Sequence, residues 1–385
     1  MTNTPKTRRL GQTLRVSDGL ADIKEQDRFR HCYIVGKTRV GKTAFLANLI
    51  SHELEDCCLV LDPVGGLADT VSALAPKDRL VLIDKNHPAV INPLDRNAPW
   101  AESAKELVEV INACITATTS SPESTVLMGE ILLHAVKVLE TKHIEALSDL
   151  LTYEAERAKH HNDKYWKAFD ARDLKGWLIN KEKVDSAKRI AARLSAFFID
   201  PALKKFTVGR NAFDVNEFVL KRKIVVVNLR GFDDGAKIYL GNLITHAVKT
   251  YYTHQATETS PALYFYIDEF HSFLTPFFDE MLAQSAKFNI SINLAHQSHS
   301  QVTKGTLNAI LGNCYTKVVF SCGYEEAERM AKEMNIRTQE ISKIGKYQAV
   351  IGIGNKAHLV RTYPPPLAAE PAEPYFLSND WIMVN

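Results

Sequence analysis

The chain has 385 residues, 45% hydrophobic and 24% charged, with a formal net charge of +2. No apolar run reaches about 18 residues, so no transmembrane helix is expected, and the basic, polar N-terminus lacks the apolar core of a secretory signal. The six cysteines show no CxxC or Cys/His metal spacing, which favours reduced, buried thiols and a cytoplasmic location.

Residues 1–30 read as a polar lead-in, too short for a folded domain. Strand and helix then alternate. "HCYIV" is a short buried strand and "TAFLANLISHEL" an amphipathic helix. "CCLVLD" (57–62) is a second strand, "GGLADTVSALA" a helix and "RLVLID" (79–84) a third strand. Helices between short β-branched runs imply crossovers and a mainly parallel sheet. From about 100 to 220 helical periodicity dominates ("AKELVEVINACI", "GEILLHAVKVLE", "VDSAKRIAARLSAFF"). Its latter half carries Lys159, Lys164, Lys167, Lys175, Lys181, Lys183, Lys188, Arg189 and Arg193, interleaved with acids. They form either a solvated face or a nucleic-acid surface.

Strand signals resume with "KIVVVNL" (223–229), "ALYFYID" (262–268), "NISINLAH" (289–296), "TKVVFSC" (316–322) and "YQAVIGIG" (347–354). "GIGNKAH" suggests a hairpin turn. The expected architecture is one α/β domain, residues 31–99 and 221–362, interrupted by an all-α insertion at 100–220. A proline-rich link and C-terminal peptide follow at 363–385.

"GKTRVGKT" (36–43) repeats Gly-Lys-Thr. A phosphate loop needs a glycine five residues before its Gly-Lys-Thr, and Gly36, Gly41, Lys42 and Thr43 meet that spacing. The first copy would need glycine where His31 stands, so Lys37 is not the loop lysine. A turn of backbone N–H groups opening onto a helix N-terminus is an anion site. The nucleotide contacts are therefore expected from Gly36, Lys37, Thr38, Arg39, Val40, Gly41, Lys42, Thr43 and Ala44. Lys42 reaches the β/γ-phosphates of ATP and Thr43 binds Mg²⁺. Arg39 points to solvent or a neighbouring subunit, or else touches the nucleotide.

"LYFYIDEF" ends an apolar strand in two acids. Asp268 is the expected Mg²⁺ ligand and Glu269 the general base. Gln297, after the next strand, is placed to orient the attacking water. His296 and His299 read as solvated loop histidines, with half a metal site as the weaker reading.

These segments, together with "VLDPVGGLADTV", "KIVVVNLRG" and "ISINLAHQSHSQV", make the chain resemble the HerA/FtsK superfamily of P-loop (RecA-like) ATPases. The likeness is to the type IV conjugative coupling-protein (TraG/TrwB-like) branch. It runs over most of residues 30–335 and also accounts for an all-α insertion. It implies a hexameric, ATP-driven translocase that grips DNA with little sequence preference. Relaxase, secretion-channel or capsid partners would follow from that role. Two departures stand out. The family's "DPHGD" is "DPVGG" here, keeping Asp62. The arginine of its "RKFG", a trans-acting finger, is Ala286, with Lys287, Arg329 or Arg337 as substitutes. Two alternatives remain: a viral or phage genome-packaging or assembly ATPase of the same superfamily, and a non-motor adaptor that binds nucleotide and recruits a partner.

Overall fold

The computed structural model describes residues 7–13, 20–93, 201–207, 209–273 and 278–366, with short pieces of 105–135 and 185–192. It divides into two units. The first comprises residues 1–84, 216–230 and 255–385, and the second 85–215 and 231–254.

The first unit holds a single sheet. Its strands are β1 (Thr7–Thr13), β2 (Leu20–Lys24), β3 (Cys32–Val35), β4 (Cys57–Asp62), β5 (Leu80–Ile83), β6 (Ile224–Asn228), β7 (Leu263–Ile267), β8 (Ile290–His296), β9 (Thr316–Val319), β10 (Gln348–Ile353) and β11 (Lys356–Arg361). Their order is β2-β1-β11-β10-β9-β3-β8-β7-β4-β6-β5. From β9 to β5 every neighbouring pair is parallel, whereas β10, β11, β1 and β2 add on antiparallel. The fold is the α/β P-loop NTPase class with a mainly parallel sheet. Strands β3, β4, β7 and β8 are buried along their whole length, as their unbroken apolar runs require when both sheet faces are covered.

The 1–30 segment departs from the expected polar lead-in. It supplies β1 and β2, and β1 pairs with β11 to extend the sheet. Its end carries Arg28, only 1% exposed. Arg28 donates to Asn293 Oδ1 at 2.8 Å and Tyr266 Oη at 2.9 Å, and forms an ion pair with Glu53 at 2.9 Å. The Tyr266 hydroxyl donates to the same Glu53 carboxylate. Burial opposes the guanidinium charge, but Glu53 and the tyrosines outweigh it and hold the Arg28 pKa above its ordinary value. A buried arginine needs this full set of acceptors. The hairpin turn expected at "GIGNKAH" is present: β11 pairs back antiparallel on β10 through Gly354, whose φ is +57°.

The second unit is helical wherever it is described as regular structure: residues 107–112, 185–192, Pro201–Thr207 and Asp234–His254. The Asp234–His254 helix groups with this unit, not with the sheet domain as the sequence suggested. Within the unit, Glu109 lies 3.5 Å from His246 Nε2 and 3.7 Å from Lys249 Nζ. Of the basic residues noted above, only Lys188 and Arg189 lie among the described residues. Residues 367–385, with the C-terminal peptide, lie outside them as well.

Candidate active site

The carboxyl ends of β3, β8, β7 and β4 lie side by side, and each carries one piece of the expected site. After β3 the chain turns at Gly36. A Cβ there would stand 2.6 Å from Phe320 Cβ, so only glycine lets the loop lie against the end of β9. Gly36 N donates to His296 O at 3.4 Å and Lys37 N to Ser321 O at 2.8 Å, pinning the loop to both neighbouring strands. Gly41 has φ +123°, outside the range of a side-chain-bearing residue.

The Lys42–Ser51 helix then starts with no side-chain cap and no acid in its first turn. Its N-terminal dipole is therefore left for an external anion. Lys42 is buried, and its ammonium donates to Gly36 O at 2.6 Å and Lys37 O at 3.0 Å. Burial lowers its pKa, while Glu269 and Asp268 pull the other way. Arg39 is exposed, with φ +64°, a left-handed conformation uncommon for a residue with a side chain. With Thr38 it stands at the rim of the cleft.

Asp268 directly follows β7 and is only 5% exposed. Burial, followed by the nearby charges of Asp62 and Glu269, pushes its carboxyl up to about 7, and Lys42 partly offsets this. Asp62, at the end of β4, accepts the N–H groups of Val64 and Gly65 at 2.8 Å and of Ala68 at 2.9 Å. It thereby caps the Gly66–Leu74 helix.

Glu269 has φ +45°, a left-handed conformation uncommon for a residue with a side chain. Its Oε1 accepts from Gln297 Nε2 at 2.9 Å. Gln297 Oε1 in turn accepts from Thr38 Oγ1 at 3.1 Å. Three motifs far apart in sequence thus meet in one hydrogen-bonded line, because β8 is interposed between the phosphate-loop strand and the acidic strand.

The cleft they enclose has a volume of about 410 Å³. It is lined by Thr38, Lys42, Thr43, Asp268, Glu269 and Gln297. An uncapped helix start beside a buried lysine fits a polyphosphate. The Asp268 carboxyl, crowded by the charges of Asp62 and Glu269, fits a divalent cation that would offset them. Thr43 and Asp268 would hold Mg²⁺, which ordinarily takes one or two protein oxygens and completes its shell with phosphates and water. Among the described residues no group of three or more His, Cys, Asp and Glu forms a metal cluster of its own.

Lys346 and Tyr347 also line the cleft, and sequence reasoning missed both. Tyr347 has φ +58° and its N–H donates to Val40 O at 2.9 Å, so the approach to β10 closes over the phosphate loop. Nothing in the local sequence announces a contact spanning some three hundred residues.

The histidines differ from expectation. His296 is the fully buried last residue of β8, with its Nε2 2.5 Å from Tyr33 Oη. Burial, reinforced by the charges of His299, His271 and Lys42, pushes its pKa down to about 3. His299 is partly buried beside the same tyrosine. Ala286 lies in the 3₁₀ turn Ser285–Phe288, before β8 and so at the end of the sheet away from the cleft. Lys287 sits over the Phe288 ring, Arg329 donates to Asn308 and Arg337 to Glu340.

No curated protein sequence matches the chain. Its fold is shared with several solved structures. The unbound bacterial conjugative coupling protein TrwB, lacking its first 70 residues, superposes with a TM-score of 0.73 at 14% identity, covering 94% of this chain and 90% of that one. TrwB in complex with ADP and Mg²⁺ gives 0.72 at 13% identity, covering 96% and 98%. VirB4 of Thermoanaerobacter pseudethanolicus gives 0.64 at 14% identity, covering 95% and 98%. The model of the type IV secretion-system coupling protein DNA-binding domain matches residues 19–357. With most of its length matched, the chain belongs to the type IV secretion-system coupling protein family.

Proposed function

We propose that this protein is an ATP-driven motor that transports DNA for a conjugative type IV secretion system. The observation that carries this reading is the line Thr38–Gln297–Glu269, which joins the phosphate loop to the acid best placed to activate water. Residues 36–44 wrap the phosphates, and Lys42 neutralises charge on the β/γ-phosphates. Thr43 and Asp268 hold Mg²⁺, which supplies charge neutralisation at the phosphates. Glu269 takes a proton from water as the water oxygen bonds to the γ-phosphorus and the bond to the ADP oxygen breaks. Gln297 orients that water. The solved complexes of TrwB with ADP and Mg²⁺, and with non-hydrolysable ATP and GTP analogues, support this nucleotide chemistry.

The chain has one phosphate loop and one acidic strand, so movement along DNA requires several copies. A ring, as a hexamer, supplies them. DNA is then held through its phosphates, with strong salt dependence and little sequence preference. A relaxase or secretion-channel subunit is the protein partner, and the motor works on the cytoplasmic side. Among the described residues no helix is long and apolar enough to cross a membrane. The test is ATP turnover with and without DNA. Stimulation by DNA, together with loss of turnover in Glu269→Gln, supports the motor. Turnover indifferent to DNA would instead favour a nucleotide-dependent adaptor.

A further inference from the structure

Glu269 is flanked on both sides, and only one of the flanking residues was expected in the site. Gln297 takes its Oε1, while its other oxygen, Oε2, is buried and accepts no hydrogen bond. The atom facing Oε2 is Nδ1 of His271, 3.5 Å away, which is itself buried and without a hydrogen-bond partner. Two unpartnered polar atoms turned toward each other at this distance are one small rotation from a hydrogen bond. Catalytic hydrogen bonds are commonly long before substrate binds and tighten afterwards.

Which atom carries the proton follows from the far side of the ring. His271 Nε2 lies 3.1 Å from Gln301 Nε2. The Gln301 amide cannot turn over freely, because its Oε1 accepts the backbone N–H of Ser298 at 3.0 Å within a capping box. Gln301 Nε2 is therefore the donor and His271 Nε2 the acceptor. An imidazole that accepts at Nε2 bears its proton on Nδ1. The same donor facing Nε2 disfavours the doubly protonated ring, in line with the burial that lowers the His271 pKa.

We propose that His271 is a positioning residue for Glu269: clamped by Gln301, its Nδ1–H secures Oε2, leaving Oε1 to accept the water proton once Gln297 turns to the substrate. This rests on Glu269 being the general base. The left-handed backbone at Glu269 aims its Cα–Cβ bond but leaves three side-chain torsions free, so a second anchor on Oε2 sets the orientation of the free oxygen. The 3₁₀ turn His299–Gln301 is itself fastened to the Tyr324–Glu333 helix, since Ser298 Oγ donates to Glu326 Oε1 at 2.6 Å. The anchor is thus built on a fixed support.

The experiment compares His271→Asn, which keeps a donor near the Nδ1 position, with His271→Gln, which does not. Both are measured in the full chain for turnover and for binding of a fluorescent ATP analogue, beside Glu269→Gln. We expect His271→Gln to lower kcat by about tenfold or more, with analogue affinity changed less than about threefold, and His271→Asn to recover most of the loss. Long-range ¹H–¹⁵N correlation of the wild-type imidazole should place the proton on Nδ1, and Gln301→Leu should shift it toward Nε2. Equal losses in the two His271 variants, or a wild-type proton on Nε2, overturn the inference while leaving Glu269 as base. Wild-type turnover in Glu269→Gln overturns the base assignment itself. Should the variants misfold, the wild-type tautomer alone decides.

Discussion

The Thr38 hydroxyl donates to the side-chain oxygen of Gln297 across 3.1 Å, although the two residues stand at the tips of different strand-end loops. The contact ties the phosphate loop to the strand that lies between it and Glu269, so a change at the loop reaches Glu269 through a single side chain. Gln297→Ala removes both the tie and the group proposed to orient water. Turnover should fall by about tenfold to a hundredfold with nucleotide affinity within about threefold, because the lost interaction belongs to the transition state. A loss confined to affinity would assign Gln297 to binding instead.

The phosphate loop depends on Gly36 for space and on Lys42 for charge. Gly36→Ala drives a methyl to 2.6 Å from Phe320 Cβ, and overpacking of this kind costs about 1–3 kcal/mol, readable by urea unfolding. Lys42→Ala should leave the fold intact and abolish detectable binding of ATP. Retained binding in Lys42→Ala would show that the second Gly-Lys-Thr is not the working copy.

Acid should destabilise the nucleotide-free protein between about pH 6.5 and 4.5. Burial pushes His31 down to about 4 and His296 to about 3, from an ordinary value of 6.5. Through this window the unfolded chain takes up protons at both positions and the native protein does not, so stability falls as pH falls. Asp268 acts in the opposite sense, because its native carboxyl, pushed up to about 7, holds a proton that the unfolded chain releases down to about 3.8. Two histidines against one carboxyl leave a net loss that grows to on the order of 1 kcal/mol per pH unit toward pH 5. Urea unfolding at pH 6.5 and 5.0 measures it, and stability that rises on acidification would contradict the assignment.

The Arg28–Glu53 pair is wholly buried, so removing one partner strands a charge. Glu53→Leu should cost about 3–5 kcal/mol. Combining it with Arg28→Met should cost clearly less than the sum of the two single changes. Additive losses in the double-mutant cycle would show that the two charges act independently.

The central sheet was legible because its strands are buried on both faces: "CCLVLD" and "LYFYI" admit little but a fully covered strand. The phosphate loop and the acidic pair were legible because phosphate chemistry constrains residue type and spacing together. The edge of the sheet was not. The β1 segment "TRRLGQT" has neither alternation nor an apolar run, and its place comes from pairing with β11, far along the chain. Arg28 reads as one more polar residue until the sheet closes over it. Tyr347 shares this character, reaching the cleft only when distant strand ends meet, and His271, though two residues from Glu269, meets Gln301 only through the turn after β8. His296 misled although the strand's end was read correctly: the last residue of β8 turns its imidazole into the core against Tyr33 and not out into the loop.

The central claim is that ATP turnover at this cleft drives movement on DNA. The most direct test follows displacement of a strand or a bound protein block from duplexes of increasing length, with ATP turnover recorded in the same samples and Glu269→Gln as the control. We expect turnover to be stimulated by DNA, displacement times to lengthen with duplex length, and both activities to vanish in Glu269→Gln. DNA-independent turnover with no length-dependent displacement would contradict the account.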